Sequence, residues 1–344
     1  MIRICTSLAI AGYAVTLIGR KNKKKEALIP RIFQQKRLTI FAHQGPLFYI
    51  EYNIRLFFYL LFNKFDCICA IDLDTILPVY ACSFLRRKKK IYDAHEYFSQ
   101  LKEVISRKKV YAVWHKIERS IVPKFKYGYT VSKSIADEFE RLYGVKYETI
   151  RNMPEKAASV GKPVGKNIIY QGAVNEGRGF EFLIPAMKDV AANLLVYGDG
   201  NFIDSAKEIV AQAGLTNKIL FKGMLLPEEL SKATSEGYIG VNLVENIGLN
   251  QYFSLANKFF DYIQCAIPQV TMNFPEYRSI NEKYNVALLI NDLHPSTISD
   301  TLNKILHDDV LYSQIKTNCN IAAKDLNWQK EEQKLIAFYK KILG

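Results

Sequence analysis

A chain of 344 residues that is 49% apolar is long enough for two hydrophobic cores and too polar for a protein embedded in a membrane. Its most apolar run, Leu56 to Phe62, falls well short of the roughly 20 residues that span a bilayer, and no secretory signal is visible. The net charge of +13 belongs to one half, because residues 1–150 hold 27 Lys and Arg against 13 Asp and Glu while the remainder is nearly neutral.

The opening MIRICTSLAIAG puts Ile2, Cys5, Leu8 and Ala9 in a helical pattern closed by Gly12, and YAVTLIGR follows as a buried strand. A parallel α/β domain should begin with a strand, and this one begins with a helix. From Pro46, PLFYIEYNIRLFFYLLFNKF reads as a helix with a broad apolar face. Next come a strand (Cys67 to Ile71), an acidic loop (Asp72 to Asp74), a helix (Leu77 to Leu85), a basic loop, and a strand (Lys90 to Asp93) running into His95. Ligands of open α/β sheets bind beyond the carboxyl ends of strands, so Asp72 to Thr75 and Asp93 to Tyr97, with Asp74, His95 and Glu96 among them, are expected to point toward one crevice. Asp72 and Asp74 alone are weak evidence for a metal; helix capping by Asp74 or Thr75 is the competing reading, and no metal is expected. Val104 to Glu118 and Ile135 to Leu142 read as helices around a buried strand in YGYTVS, with Ser132 as a cap, and YETIRNMPE as a strand and a turn.

Six cysteines, Cys5, Cys67, Cys69, Cys82, Cys265 and Cys319, lie mostly in apolar runs without metal-ligand spacing. Packing roles and a reducing, cytoplasmic compartment follow. Basic clusters at Lys21 with Lys23 to Lys25, at Arg86 to Lys90 and at Arg107 to Lys109 are either solvated loop charge or a surface for anionic lipid headgroups on the inner membrane face. Nucleic acid is not expected, since no helix-turn-helix, zinc or aromatic ribonucleoprotein signature accompanies the charge.

After the linker ASVGKPVGK, NIIYQGAVNEGRGFEFLIPAM gives a strand ending at Gln171, a pliable loop with Gly172, Gly177 and Gly179, and a helix from Phe180. That is phosphate-loop geometry with Arg178 as the cation. NLLVYGDGN repeats the design with Gly198 and Gly200, and YIGVNLVENI is a buried strand ending at Glu245. Ordinary turns are the alternative reading of each. Residues 244–277, VENIGLNQYFSLANKFFDYIQCAIPQVTMNFPEY, read as a polar loop, a helix from Leu255 to Gln264, a turn ending at Pro268 and a buried strand from Gln269 to Met272. With Ser254 as the cap, Asn257 and Lys258 in the first turn and Asp261 a turn later, one ligand can meet all of them. Lys258 and the helix N-terminus suit a diphosphate, and the Asp261 carboxylate suits two ribose hydroxyls. The alternative is an amphipathic helix capped by Ser254 and solvated through Lys258 and Asp261.

The run SLANKFFDYIQCAIPQV resembles the donor-binding segment of the GT-B glycosyltransferases of family four, in which Asn-Lys, an acidic residue, Tyr and a final Pro-Val-like pair recur. The resemblance extends over nearly the whole chain and implies two Rossmann-like doubly wound α/β domains facing a cleft: residues 1–153 for the acceptor, 154–325 for the donor, and a C-terminal helix, 326–344, returning to the first. It implies retaining, metal-independent transfer of a sugar from a nucleotide-diphosphate sugar to a glycan or lipid-linked acceptor, without a cofactor. His95 and Glu96 match the family's His-Glu pair, and Asp261 its second acidic position, on the ribose; Phe253 stands at the first. Arg178 matches one of the family's two diphosphate-binding basic residues, Ala173 stands at the other, and Lys258 shares the charge. Lys222, Gly223 and Met224 fall where the base is held by backbone groups, and Ser254 and Leu255 where the donor-binding helix opens. The first helix matches the family's first helix, so the strand before it is expected to be missing, by a late gene start or a truncation, leaving a gap in the first sheet. A sugar-nucleotide epimerase or hydrolase, and a catalytically weak donor-binding protein, are the alternatives.

Overall fold

The computed structural model describes residues 1–21, 28–157 and 161–344. Lys23 to Lys25 and part of the linker ASVGKPVGK lie outside the described residues. The chain divides into two units, Met1–Arg151 with Glu331–Gly344, and Asn152–Lys330.

The first unit runs α1 (Ile2–Ile10), β1 (Thr16–Arg20), β2 (Gln34–Leu38), α2 (Gly45–Phe62), β3 (Cys67–Ile71), α3 (Ile76–Arg86), β4 (Lys89–Ala94), α4 (Lys102–Ile105), α5 (Lys108–Ile121), β5 (Tyr127–Thr130), α6 (Lys133–Tyr143) and β6 (Glu148–Thr149). All its strand pairs are parallel, but they fall into two separate sheets, β1 with β2, and β3-β4-β5-β6 in that order. Among the described residues the edges of β1 and β3 away from these partners carry no strand. This explains why β1 is not the buried strand expected from YAVTLIGR: paired on one side only, it leaves both end residues exposed. The expected helix over Val104–Glu118 is two helices, α4 and α5. They part at Arg107, which is extended (φ −120°, ψ 92°) and whose guanidinium bonds the Glu103 carbonyl at 2.7 Å. Ser132 does cap α6, accepting from the Ile135 amide at 3.3 Å.

The second unit runs β7 (Ile168–Gln171), α7 (Phe180–Ala186), β8 (Leu194–Tyr197), α8 (Ile203–Gln212), β9 (Ile219–Gly223), α9 (Pro227–Ser235), β10 (Ile239–Asn242), α10 (Leu249–Tyr252), α11 (Asn257–Gln264), β11 (Gln269–Met272), α12 (Pro275–Tyr284), β12 (Ala287–Ile290), α13 (Pro295–His307) and α14 (Asp309–Ala322). Its parallel sheet has the order β12-β11-β10-β7-β8-β9. The order reverses between β7 and β10, the switch point beyond which a doubly wound sheet binds its ligand. Every residue of β7, β10 and β11 is buried, as expected for parallel strands covered on both faces. The last helix, α15 (Trp328–Leu343), begins in this unit and from Glu331 belongs to the first. There the Glu332 carboxylate accepts from Ser7 at 2.8 Å, Glu331 accepts from the Arg151 amide at 2.9 Å, and Phe338 packs edge-on against Tyr129. All six cysteines are free; burial pushes the Cys67 and Cys319 thiols up to about 12, which suits packing rather than reactivity.

Candidate active site

The second unit's site is built from α11 outward. Gly240 of β10 has no side chain, and a Cβ there would stand 2.5 Å from the Tyr262 ring, so the glycine lets α11 lie directly on the sheet. Tyr262 Oη then donates to the Ile169 carbonyl at 3.1 Å and accepts from the Gln171 amide at 3.3 Å, fixing the helix to the end of β7. This sets Lys258 and Asp261, one turn apart, beside the loop that leaves β7. A Cβ on Gly172 would lie 3.5 Å from Lys258 Cε, and Gly172 has φ +119°. The Lys258 ammonium is buried and sits 3.6 Å from the centre of the Tyr170 ring, which is itself held by a 2.6 Å bond from Tyr170 Oη to the Ala173 carbonyl. Gln171 Nε2 donates to Asp261 Oδ2 at 2.6 Å.

Burial first, and then the Arg178 charge, hold the Lys258 amine well below its ordinary value, with Asp261 pulling the other way. Two cations therefore converge beside a glycine loop. Among the described residues no carboxylate forms an ion pair with either. The glycines around them are required by close backbone approach. A Cβ on Gly198 (φ +150°) would stand 1.9 Å from the Gly172 carbonyl oxygen, and one on Gly200 would stand 2.3 Å from the Val174 carbonyl oxygen. The Gly198 amide also donates to the Gly223 carbonyl at 2.8 Å, and the Glu245 amide to the Gly177 carbonyl at 3.0 Å, so the loops after β7, β8, β9 and β10 are tied together.

Ser254 does not cap α11. The helix starts two residues later than expected, its N-cap is Ala256, and Ser254 Oγ is buried without a hydrogen-bond partner. The cause is Tyr277, whose hydroxyl accepts from the Ala256 amide at 3.0 Å and so starts the helix there. The Gln251 side-chain oxygen is likewise buried and unpartnered. Leu255 is half-buried, Asn257 is exposed, and the Lys222 and Met224 side chains point to solvent. Gln171 and Tyr170 were not singled out from the sequence; a glutamine closing an otherwise apolar strand was the available signal.

In the first unit the ends of β3 and β4 come together as expected, and Asp93, expected at this crevice but given no role there, lies at the centre of the contact. Asp93, fully buried, accepts from the Tyr129 hydroxyl at 2.8 Å through the same oxygen that meets His95 Nε2 at 3.2 Å; its other oxygen has no partner. Asp72 holds the turn that follows β4, its Oδ1 accepting from the His95 amide at 2.8 Å and the Glu96 amide at 3.0 Å. It does so at φ 54° and ψ 174°, outside the left-handed helical region that aspartate visits more readily. The expected capping is absent, because no side chain caps α3 and Thr75 Oγ1 instead donates to the Ile71 carbonyl at 2.7 Å. Asp74 is half-buried and its backbone carbonyl accepts from Asn53 at 2.9 Å, while Glu96 is exposed. Burial pushes Asp72 up to about 7, His95 opposing and Asp93 adding to it, and burial pushes Asp74 up to about 6. Burial pulls the His95 imidazole down, but the Asp93 and Asp72 carboxylates outweigh it and the net shift is upward. No group of three or more His, Cys, Asp or Glu among the described residues could hold a metal ion.

Two family models match, Glycosyltransferase Family 4 over residues 1–154 and Glycosyl transferases group 1 over residues 165–308. No curated protein matches the sequence. Among solved structures, the chain is similar to a sucrose-phosphate synthase from Thermosynechococcus elongatus (TM-score 0.81, 15% identity, 99% of this chain and 92% of that one). It is also similar to Anabaena HepE in complex with UDP (TM-score 0.73, 13% identity, 90% and 87%). A third is WaaG, a glycosyltransferase involved in lipopolysaccharide biosynthesis (TM-score 0.68, 13% identity, 97% and 93%). With one model on each half and this fold throughout, the chain belongs to the family-four glycosyltransferases of GT-B architecture.

Proposed function

We propose that this glycosyltransferase takes a sugar from a nucleoside-diphosphate sugar and transfers it with retention to a hydroxyl of a glycan or lipid-linked acceptor, in the synthesis of a surface polysaccharide or glycolipid. The observation that carries the reading is the convergence of Lys258 and Arg178 on the glycine loop at the switch point of the second unit. A buried amine held low by a second cation is an unfavourable arrangement that a diphosphate would relieve. The bond between the anomeric carbon and the diphosphate oxygen breaks with its electron pair going to the diphosphate. The acceptor oxygen bonds the same face of the sugar, and its proton leaves with the diphosphate. Lys258 and Arg178 stabilise the leaving charge, an electrostatic form of catalysis in which the chain supplies neither nucleophile nor cofactor. Asp261, oriented by Gln171, accepts from the ribose hydroxyls, and the orphaned Ser254 hydroxyl and Gln251 oxygen face the same ligand. His95, with Asp72 and Glu96, serves the acceptor side.

The solved relatives bound to UDP, to UDP with glucose, and acting in lipopolysaccharide biosynthesis support a nucleotide-sugar donor and a glycan or lipid acceptor. The positive surplus of residues 1–150 supports association of the first unit with the anionic inner face of a membrane, where lipid-linked acceptors are presented. Calorimetry with UDP and other nucleoside diphosphates, followed by turnover of a nucleotide-sugar panel with and without acceptor sugars, tests the reading. Tight diphosphate binding and acceptor-dependent turnover are expected. Equal donor consumption without acceptor would instead make the protein an epimerase or hydrolase. Binding without turnover would favour a donor-binding protein, the reading that Ala173 and Phe253 suit. Unchanged turnover in Arg178→Ala and Lys258→Ala would remove the assignment of the two cations.

A further inference from the structure

The helix α2 is apolar on two opposite sides. Tyr52, Leu56 and Leu60 are buried in the first unit. On the other side Leu47, Ile50, Ile54, Phe58 and Phe62 are exposed along its 18 residues, Phe62 by 78%. At 1.5 Å per residue that face is about 27 Å long. Contiguous exposed apolar surface of this kind marks a binding face rather than a solvated one.

The only charges on the helix, Glu51 and Arg55, are bonded to each other at 2.7 Å. Glu51 also accepts from the Phe41 amide at 3.0 Å and the Ala42 amide at 2.8 Å, and Arg55 stacks 5.1 Å over the Phe41 ring. The charges thus hold Phe41, 73% exposed, beside the apolar stripe, and together they line a shallow groove of about 660 Å³. At the C-terminal turn of α2, Arg86 donates to the Leu60 carbonyl at 2.8 Å and stacks 4.6 Å over Phe65. That bond sets the exposed end of α3, with Phe84, Leu85 and Arg87, next to the end of α2. The basic run expected to meet lipid is largely engaged within the protein, since Arg86 bonds α2 and Lys88 pairs with Asp66. Lys64 and Arg87 are exposed and, among the described residues, pair with no carboxylate.

Charge decides between occupants. A second copy would bring the same net charge of +13 against this surface. An anionic bilayer offers phosphates to Lys64 and Arg87 and an apolar interior to the phenylalanines. We infer that the outward face of α2 inserts into the headgroup and upper acyl region of an anionic membrane, with Lys64 and Arg87 at phosphate level. This rests on the membrane association proposed above and gives it an apolar anchor. The helix lies on the membrane and does not cross it, since no helix among the described residues is long and apolar enough to span.

The test is co-sedimentation of the full chain with phosphatidylglycerol-containing vesicles, comparing wild type with Phe58→Ser/Phe62→Ser and with Lys64→Glu/Arg87→Glu. The serine pair lies on the exposed face, so it should keep the melting temperature and nucleoside-diphosphate affinity of the wild type and lose roughly tenfold or more in vesicle affinity. Wild-type binding should survive in part at high salt, whereas the glutamate pair should weaken binding mainly at low salt. Vesicle binding that ignores the serine pair but is abolished by salt or by the glutamate pair would overturn insertion and leave charge-driven docking standing. A wild-type dimer that the serine pair converts to monomer, without vesicle affinity in either, would assign the face to a second copy. No vesicle binding by any variant would overturn the inference and the membrane reading together, with nucleotide binding still testing glycosyl transfer separately.

Discussion

The two units solve the same folding problem differently. In the second, one sheet runs unbroken from β12 to β9, and β7, β10 and β11 are buried at every residue. In the first, the strands fall into two sheets and β1 and β2 stay half exposed. The contrast carries over to the sites. The continuous sheet buries a lysine among aromatic and apolar groups, and the divided one buries a carboxylate beneath a histidine. The central strands of a continuous sheet, paired on both sides, can hold a buried lysine against its desolvation cost. In the first unit the cost falls on Asp93, which shares one oxygen between two partners and leaves the other bare.

The comparison breaks most visibly at the glycine loops of the second unit. Gly198→Ala places a methyl group 1.9 Å from backbone that cannot swing aside, the Gly172 carbonyl. Loss of nucleoside-diphosphate binding is expected, with a melting temperature lower by roughly 5–10 °C. Calorimetry and thermal denaturation read both; a variant with wild-type affinity would show that the loops tolerate separation.

Lys258→Met keeps the volume and removes the charge. Turnover should fall by about 100-fold or more, while the ligand-free protein melts higher than wild type. The sign follows from the lowered amine: the fold carries the cost of the ammonium at pH values below the depressed value, and is relieved as pH rises from there toward the ordinary 10.5. A ligand-free melting temperature that falls would mean that the lysine is structural.

In the first unit, Asp93→Asn should cost roughly 10- to 100-fold in turnover by releasing the His95 ring, with donor diphosphate affinity unchanged. Equal loss of both would make Asp93 a support of the whole protein and not of His95. The smallest effect is expected at Asp72, where asparagine preserves the acceptor for the two amides. An acid raised from 3.8 to about 7 costs the fold nothing while protonated in both states and most once ionised, so stability falls as pH rises across that window. The raised imidazole of His95 acts in the same direction, its contribution being present below 6.5 and lost above it. The melting temperature should therefore decline as pH rises from about 4 to about 7, and Asp72→Asn should flatten that decline. An unchanged slope would place the titration elsewhere.

The sequence by itself determined the elements with a strong local pattern. The strand at Gln269 to Met272 was legible to the residue because a short run with Val270 and Thr271 at its centre, bounded by Pro268 and the polar Asn273, is too short for a helix. The glycines at 172, 177 and 198 were legible because loops that leave a strand at positive φ have no other ready residue. The placing of Lys258 and Asp261 one turn apart on one side of α11 followed from helical spacing. Tertiary structure decided the rest. Ser254 looked like a cap until Tyr277, 23 residues on, claimed the start of α11. The role of Asp93 depends on Tyr129 arriving from β5 and on Asp72, beyond β3, holding the turn that folds His95 back over it. The broad apolar face of α2 was legible, but not which part of it stays exposed, because periodicity reports which residues share a side of a helix and not whether anything covers it. Local sequence encodes backbone preference and facial pattern; partners brought together from distant segments settle caps, charge states and exposure, because their cost or gain exists only once the chain has folded.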